Sequence, residues 1–377
     1  MKKKTKNTFF NPAYPRFMIA FLPLMMLLTY SCTSQKKNQF DSIKIDIDHS
    51  KNIDPQIITN SIQLIKLETS RESMIGKPKK LVIHQGDIFI LDSKQQALLK
   101  FDSKGKFITK IHRIGKGPGE YIRISDFCID KKHDQIILLA NGRDLLFYSC
   151  NGDFIKHINL GNLFCHFLTY LEDDNILLYS ETSEYRFYHY SHKDKKIIQR
   201  NIKGNDFIQK TGMGHLYTPF FQNNDDSYSF TDIYSYKIFN ISSKEVLCKS
   251  LDFGKYSYKI EKLPLDIGKN SYKEHYLKLA SEGKYALNIF YFFETSDYTF
   301  VSYLFDRRTQ TSILDKKSKN NYRFDQYQFP EVIYYKDDCL HGLVEPLSIG
   351  SYIPKGFEID TFNVNINDNP VVITYQF

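Results

Sequence analysis

The sequence predicts an all-β fold: a closed ring of six blades, each a four-stranded antiparallel sheet, with the last blade completed by strands from both chain ends. Three observations carry this expectation. Beyond residue 43, short Ile/Leu/Tyr/Phe runs alternate with turn residues at intervals of about 8–12 positions, the pattern of many short strands. Two stretches repeat each other: DIFILDSKQQALLKFDSKGKFITKI from Asp87 and QIILLANGRDLLFYSCNGDFIKHI from Gln135. Phe101 matches Tyr148, Gly105 matches Gly152 and Phe107 matches Phe154, each 47 residues on, and Ile90 and Leu138 lie 48 apart. A period in the forties with four strands per unit is that of a propeller blade. Weaker copies follow, and the last apolar run, PVVITYQF, needs a partner from the other end of the chain. Joining the two ends removes free sheet edges.

The elements follow in chain order. Residues 1–16 carry Lys2, Lys3, Lys4, Lys6 and Arg16 and no acid, and Phe17–Leu28 is apolar. A basic start followed by about a dozen apolar residues is an export signal, too short for a comfortable membrane span. Cys32 directly after the apolar core resembles a bacterial lipoprotein signal, in which the thiol is lipidated and becomes the mature N-terminus. The usual Leu three residues before the Cys is Thr29 here. Residues 1–31 are therefore expected to be the signal, 32–42 a flexible tether and 43–377 the propeller. Without the signal the chain has 46 basic against 43 acidic residues, a net charge of +3 rather than +8. That balance is no nucleic-acid footprint, and no later Lys/Arg stripe supplies one.

Within the second unit the strands are expected at Asp126–Asp130, Gln135–Ala140, Leu145–Ser149 and Phe154–Leu160. Asn151-Gly152 reads as a tight hairpin with both residues at positive φ. Further units are read in Phe167–Lys203, Tyr217–Gly254, Leu287–Lys316 (short of a strand) and Phe329–Phe377. A strand near Ile62–Leu67 would close the sixth. Tyr272–Ala280 interrupts the β text as a short helix. The 27 Tyr and 30 Phe are expected to pack between blades, one ring set of each strand facing that core and the other facing out.

The stretch Leu64–Asp130 resembles the six-bladed β-propeller lipoproteins of Bacteroidetes. Thr231–Tyr256 and the ending DNPVVITYQF are similar to two further hallmarks of that family. The loop Gly115–Tyr121 followed by a strand resembles NHL-type propellers. The resemblance implies an exported, lipid-anchored propeller; it implies no particular activity.

Arg113-Ile114-Gly115-Lys116-Gly117-Pro118-Gly119-Glu120-Tyr121 is the most distinctive stretch for chemistry. It is no phosphate loop, because a strand and not a helix N-terminus follows. It reads as a connection between blades, with Glu120 holding the turn. As a ligand site, Arg113, Lys116, Glu120, Tyr121 and Arg143 would supply charges and a ring on one face. Eleven histidines are scattered. His189-x-x-His192 would alternate faces in a strand, a poor chelate, so surface histidines are expected. Asp173-Asp174, Asp225-Asp226 and Asp337-Asp338 fit hairpin turns better than a calcium loop. Neither a metal centre nor another cofactor is expected. Cys128, Cys150, Cys165, Cys248 and Cys339 show no zinc spacing and read as buried thiols. There is no Gly-x-Ser-x-Gly elbow.

The expected function is therefore that of a monomeric, lipid-anchored binding or scaffold module, not an enzyme. It would act at the cell envelope, facing periplasm or cell surface, on a glycan, peptide or protein. The alternative is a metal-dependent hydrolase or lyase acting at the channel mouth.

Overall fold

The computed structural model describes residues 42–377 except 205–213, 216, 224, 233–234, 260–268, 325–327 and 358–362. The segments expected to be the signal and the tether, with Cys32, lie outside the described residues except for Ser42. Three strands precede the first full blade: Ser42–Lys44 (β1), Lys51–Asn52 (β2) and Ser61–Lys66 (β3). Blade 1 is Pro78–His84 (β4), Asp87–Asp92 (β5), Ala97–Phe101 (β6) and Phe107–Ile111 (β7). Blade 2 is Ile124–Asp130 (β8), Gln135–Ala140 (β9), Asp144–Ser149 (β10) and Phe154–Asn159 (β11). Blade 3 is Phe167–Tyr170 (β12), Asn175–Tyr179 (β13), Tyr185–Ser191 (β14) and Lys196–Lys203 (β15). Blade 4 is Phe220–Gln222 (β16), Tyr228–Thr231 (β17), Lys237–Ile241 (β18) and Val246–Asp252 (β19). Blade 5 is Leu287–Glu294 (β20), Tyr298–Phe305 (β21), Arg308–Asp315 (β22) and Asn321–Arg323 (β23). Blade 6 is Ile333–Lys336 (β24), Cys339–Val344 (β25), Val371–Gln376 (β26) and, from the N-terminal side, β3.

The fold is the expected six-bladed propeller. β3 runs antiparallel to β26, with Ser61 opposite Gln376 and Lys66 opposite Val371. Blade 5 is not short of a strand, as its sequence suggested: β23 completes it. A device absent from the expectation is that β1 pairs parallel with β19 and β2 with β23. Before entering blade 6, the chain thus covers the outer edges of blades 4 and 5, where bare strands would invite pairing with another molecule.

Blade packing explains why the strands read as nearly unbroken apolar runs. In β9, Ile136, Leu138 and Ala140 join the core shared with blade 1, while Ile137 and Leu139 join the core shared with blade 3. Period-two alternation puts successive side chains on opposite sheet faces, and both faces of a blade are covered by neighbours. Six such clusters lie one to each blade interface. This corrects the expectation that one ring set faces out. In β14, Phe187 enters the core toward blade 4, and Tyr188 and Tyr190 enter the one toward blade 2. Outer strands such as β15 do alternate with solvent.

The repeat detected in sequence is a repeat in geometry. Phe101 and Phe107 meet edge-on at 5.8 Å, and their counterparts Tyr148 and Phe154 meet edge-on at 5.7 Å. The hairpins have the same bulge before Phe101 and Tyr148. Only the glycines, Gly105 (φ +80°) and Gly152 (φ +92°), take the left-handed conformation, and Asn151 does not. The turn is thus a glycine-bulge loop, not the two-residue hairpin expected from Asn-Gly. The acid pairs are turn residues as expected, with Asp173, Asp174, Asp226, Asp337 and Asp338 at positive φ. The expected helix is present as Lys269–Glu282. The five described cysteines are free thiols. No helix among the described residues is long and apolar enough to cross a membrane.

Candidate functional site

Antiparallel blades sort their connections onto two faces of the ring. Blade-to-blade loops and second-to-third strand connections share one face; the two hairpins at the other strand ends share the opposite face. On the first face the loops converge on a bowl of about 330 Å³ at the channel mouth. Below it the channel narrows to a space of about 50 Å³ between the inner strands.

Three connections and one inner strand build the bowl. Tyr217 comes from the blade 3–4 loop and Gln328, Phe329 and Glu331 from the blade 5–6 loop. Tyr352 comes from the long connection inside blade 6, and Phe290 and Tyr291 from the start of β20. The Tyr217 hydroxyl donates to Glu331 Oε2 at 2.9 Å, tying two loops together. Burial, then the Glu331 carboxylate, pushes that phenol up to about 12. Lys79 sits at the bowl's edge, donating to Ser125 O at 2.6 Å over the Phe167 ring. Burial pulls its ammonium below the ordinary value. His215 is fixed between Glu181 Oε1, 3.1 Å from Nδ1, and Thr231 O, 3.0 Å from Nε2. Burial raises the Glu181 carboxyl, and the His215 bonds outweigh it and hold it below its usual range. The bowl therefore offers aromatic faces with a few convergent donors and acceptors, and charges of both signs. Stacking and hydrogen bonding are what such a surface does.

The sequence-derived ligand set lies elsewhere. The Arg113–Tyr121 loop crosses from β7 to β8 at the outer rim, beside Phe154 and His157 of the outermost strand β11. Arg113, Lys116, Glu120 and Arg143 are exposed there. Tyr121 is not available to a ligand: it is fully buried, and its hydroxyl bonds to Gln96 O at 3.0 Å and Ile111 O at 3.1 Å. Glu120 holds the turn, as the sequence suggested, accepting from Gly117 N–H at 2.7 Å. Gly119 (φ +74°) is required, because a Cβ would approach Phe154 to 2.6 Å.

Two histidines expected at the surface are buried: His189 is 1% and His192 4% exposed. They do not form a chelating pair. His192 instead joins His133, Asp130 and Asp174 on the hairpin face, away from the bowl. Sequence reasoning missed both groupings. The bowl residues come from loops far apart in the chain and share no motif. For the cluster a faint signal existed: Asp130 and Asp174 flank the first-to-second strand turns of successive blades.

Residues 40–376 match the family model described as a domain of unknown function, DUF4934. Among solved structures, a Bacteroides fragilis protein described as exported is similar, with 19% identity and a TM-score of 0.68. The match covers 89% of this chain and 98% of that one. A DUF4221 member from Bacteroides vulgatus shares 10% identity at a TM-score of 0.53, over 84% of this chain and 96% of that one. At these identities the likeness is one of fold. No curated protein sequence matches the chain.

Proposed function

Because the chain belongs to the DUF4934 family, whose description assigns no activity, we propose that it is an exported binding module of the cell envelope. Its ligand docks in the bowl at the channel mouth. The carrying observation is the bowl itself: exposed Phe290, the Tyr217–Glu331 bridge and Tyr352 converge from four separate parts of the chain over a narrow channel. Its volume lies at the lower end of the roughly 300–1,000 Å³ of small-ligand sites. Rings flanked by balanced charges match a neutral glycan segment best. Peptides and proteins are the other outcomes of the test. Export is supported by the N-terminal signal and by the described export of the Bacteroides fragilis relative.

The test is a panel of neutral oligosaccharides and peptides, read by calorimetry on the propeller. Phe290→Ala with Glu331→Ala should weaken binding at least tenfold and shift the melting temperature by less than about 2 °C, since Phe290 is 38% exposed. If instead only Arg113→Ala with Glu120→Ala abolishes binding, the contact surface is the outer rim loop. Binding to no member of the panel would sink the module reading.

The anchor is proposed at Cys32. Cys32→Ala should move the protein from the membrane fraction to the soluble fraction and end labelling by a fatty-acid analogue. A variant that stays membrane-bound, beside a wild type that takes up no label, removes the anchor.

A further inference from the structure

On the hairpin face, the inner hairpins of blades 2 and 3 and the outer hairpin of blade 3 bring four donor groups together. Asp130 ends β8 and His133 follows in its turn; Asp174 lies in the turn after β12, and His192 directly follows β14. One ligand atom from each lies within 4.8 Å of all the others. His192 Nε2 is 3.3 Å from Asp130 Oδ2 and 3.9 Å from Asp174 Oδ1. His133 Nε2 is 3.5 Å from Asp174 Oδ1, and its Nδ1 is 2.9 Å from Asp130 Oδ2. A tetrahedral metal with bonds of roughly 2.0–2.1 Å separates neighbouring ligand atoms by roughly 3.4 Å. The 3.3, 3.5 and 3.9 Å spacings lie around that value and beyond an ordinary hydrogen bond, while the 2.9 Å contact is a hydrogen bond between His133 Nδ1 and Asp130.

The independent observation is His192. Its side chain is 3% exposed, and neither ring nitrogen has a hydrogen-bond partner, although Nε2 lies 3.3 Å from Asp130 Oδ2 and 3.9 Å from Asp174 Oδ1. Phe147 packs on its ring at 5.2 Å. A buried imidazole without a hydrogen bond is costly unless something occupies its lone pair. Each carboxylate brings an oxygen within 4.8 Å of the imidazole atoms, and Lys132 Nζ holds the other Asp174 oxygen at 2.8 Å. His133, 40% exposed, forms the outer wall and gives an ion a way in.

We infer that Asp130, His133, Asp174 and His192 form a binding site for a zinc-class divalent transition metal that staples blade 2 to blade 3. Two imidazoles with two carboxylates suit zinc and its first-row neighbours, whereas calcium and magnesium prefer all-oxygen sets. With four protein ligands the site is structural rather than catalytic. It is separate from the bowl and does not depend on the function proposed for it.

The test uses tag-free propeller stripped with a chelator and titrated with Zn²⁺ by calorimetry, with Co²⁺ absorption as a geometric readout. One equivalent should bind, with the intense visible bands of four-coordinate cobalt. His192→Ala should weaken binding at least a hundredfold. His133→Ala, at an exposed position that leaves the fold intact, should weaken it at least tenfold. Ca²⁺ should not compete. No uptake at millimolar Zn²⁺, uptake unchanged in His133→Ala, or equal preference for Ca²⁺ would each overturn the site.

Discussion

Asp232→Ala is expected to destabilise the protein by about 3–5 kcal/mol, the usual cost of removing one partner of a buried ion pair. Arg186 of β14 and Asp232, just after β17, meet across the blade 3–4 interface at 2.9 Å with side chains 5% and 3% exposed. Ser235 also donates to the same carboxylate oxygen at 2.8 Å. The guanidinium lies among the rings of Tyr179, Phe187, Phe230 and Phe239, at 5.3–5.9 Å from their centres. Those faces favour a cation but cannot replace a carboxylate. Burial opposes both charges; their mutual attraction outweighs it, holding the guanidinium up and the carboxyl down. Removing Asp232 strands a positive charge in an aromatic box. The double variant Arg186→Met with Asp232→Leu should recover most of the loss, because apolar side chains suit that box. Chemical denaturation of the three proteins measures this. The folded carboxyl is depressed below its ordinary 3.8, so its contribution is present above about pH 4 and lost as pH falls further. The gap between wild type and Asp232→Asn should therefore narrow below pH 4. A cost under about 1 kcal/mol for Asp232→Ala would refute the argument.

A chain beginning at residue 68 is expected to show no cooperative melting transition. It lacks β3 and with it the whole outer strand of blade 6, leaving β26 bare. It also loses the buried Ile45, Ile47, Ile53, Ile58 and Leu67. Each is worth about 1.5–3 kcal/mol, so their loss rivals the roughly 5–15 kcal/mol that keeps an ordinary domain folded. A chain beginning at residue 53 keeps the closure and loses only Ile45, Ile47 and the two edge covers. It should fold with a lower melting temperature and self-associate through β19 and β23. Calorimetry and light scattering separate the two outcomes. A chain from residue 68 that melts cooperatively near the wild-type temperature would show that the ring does not need its N-terminal strand.

Much of this was legible in the chain. Gly105 and Gly152 marked equivalent hairpins because only glycine takes the left-handed turn there without strain. Turn residues bounded β9 at Gln135–Ala140, because the period-two apolar run stops where the chain must reverse. The missing strand of blade 5 was not legible: Asn321–Arg323 is short, partly exposed and without an apolar signal. Nor were the edge covers, since Lys51–Asn52 gains its strand conformation only from pairing with Tyr322 and Arg323.

The sequence by itself determined the blade architecture, the number of units and the closure by both ends. Those features rest on local alternation and turn chemistry, which a short window of residues contains. The tertiary structure alone decided where function can sit. It buried Tyr121, set the Arg113 loop at the rim, and gathered Tyr217, Phe290, Glu331 and Tyr352 into a bowl. It also turned a hairpin aspartate and two histidines expected at the surface into a four-donor cluster with Asp130. The physical reason is the ring: it brings one position from each blade to a common face, and residues more than a hundred apart meet there without leaving any pattern along the chain.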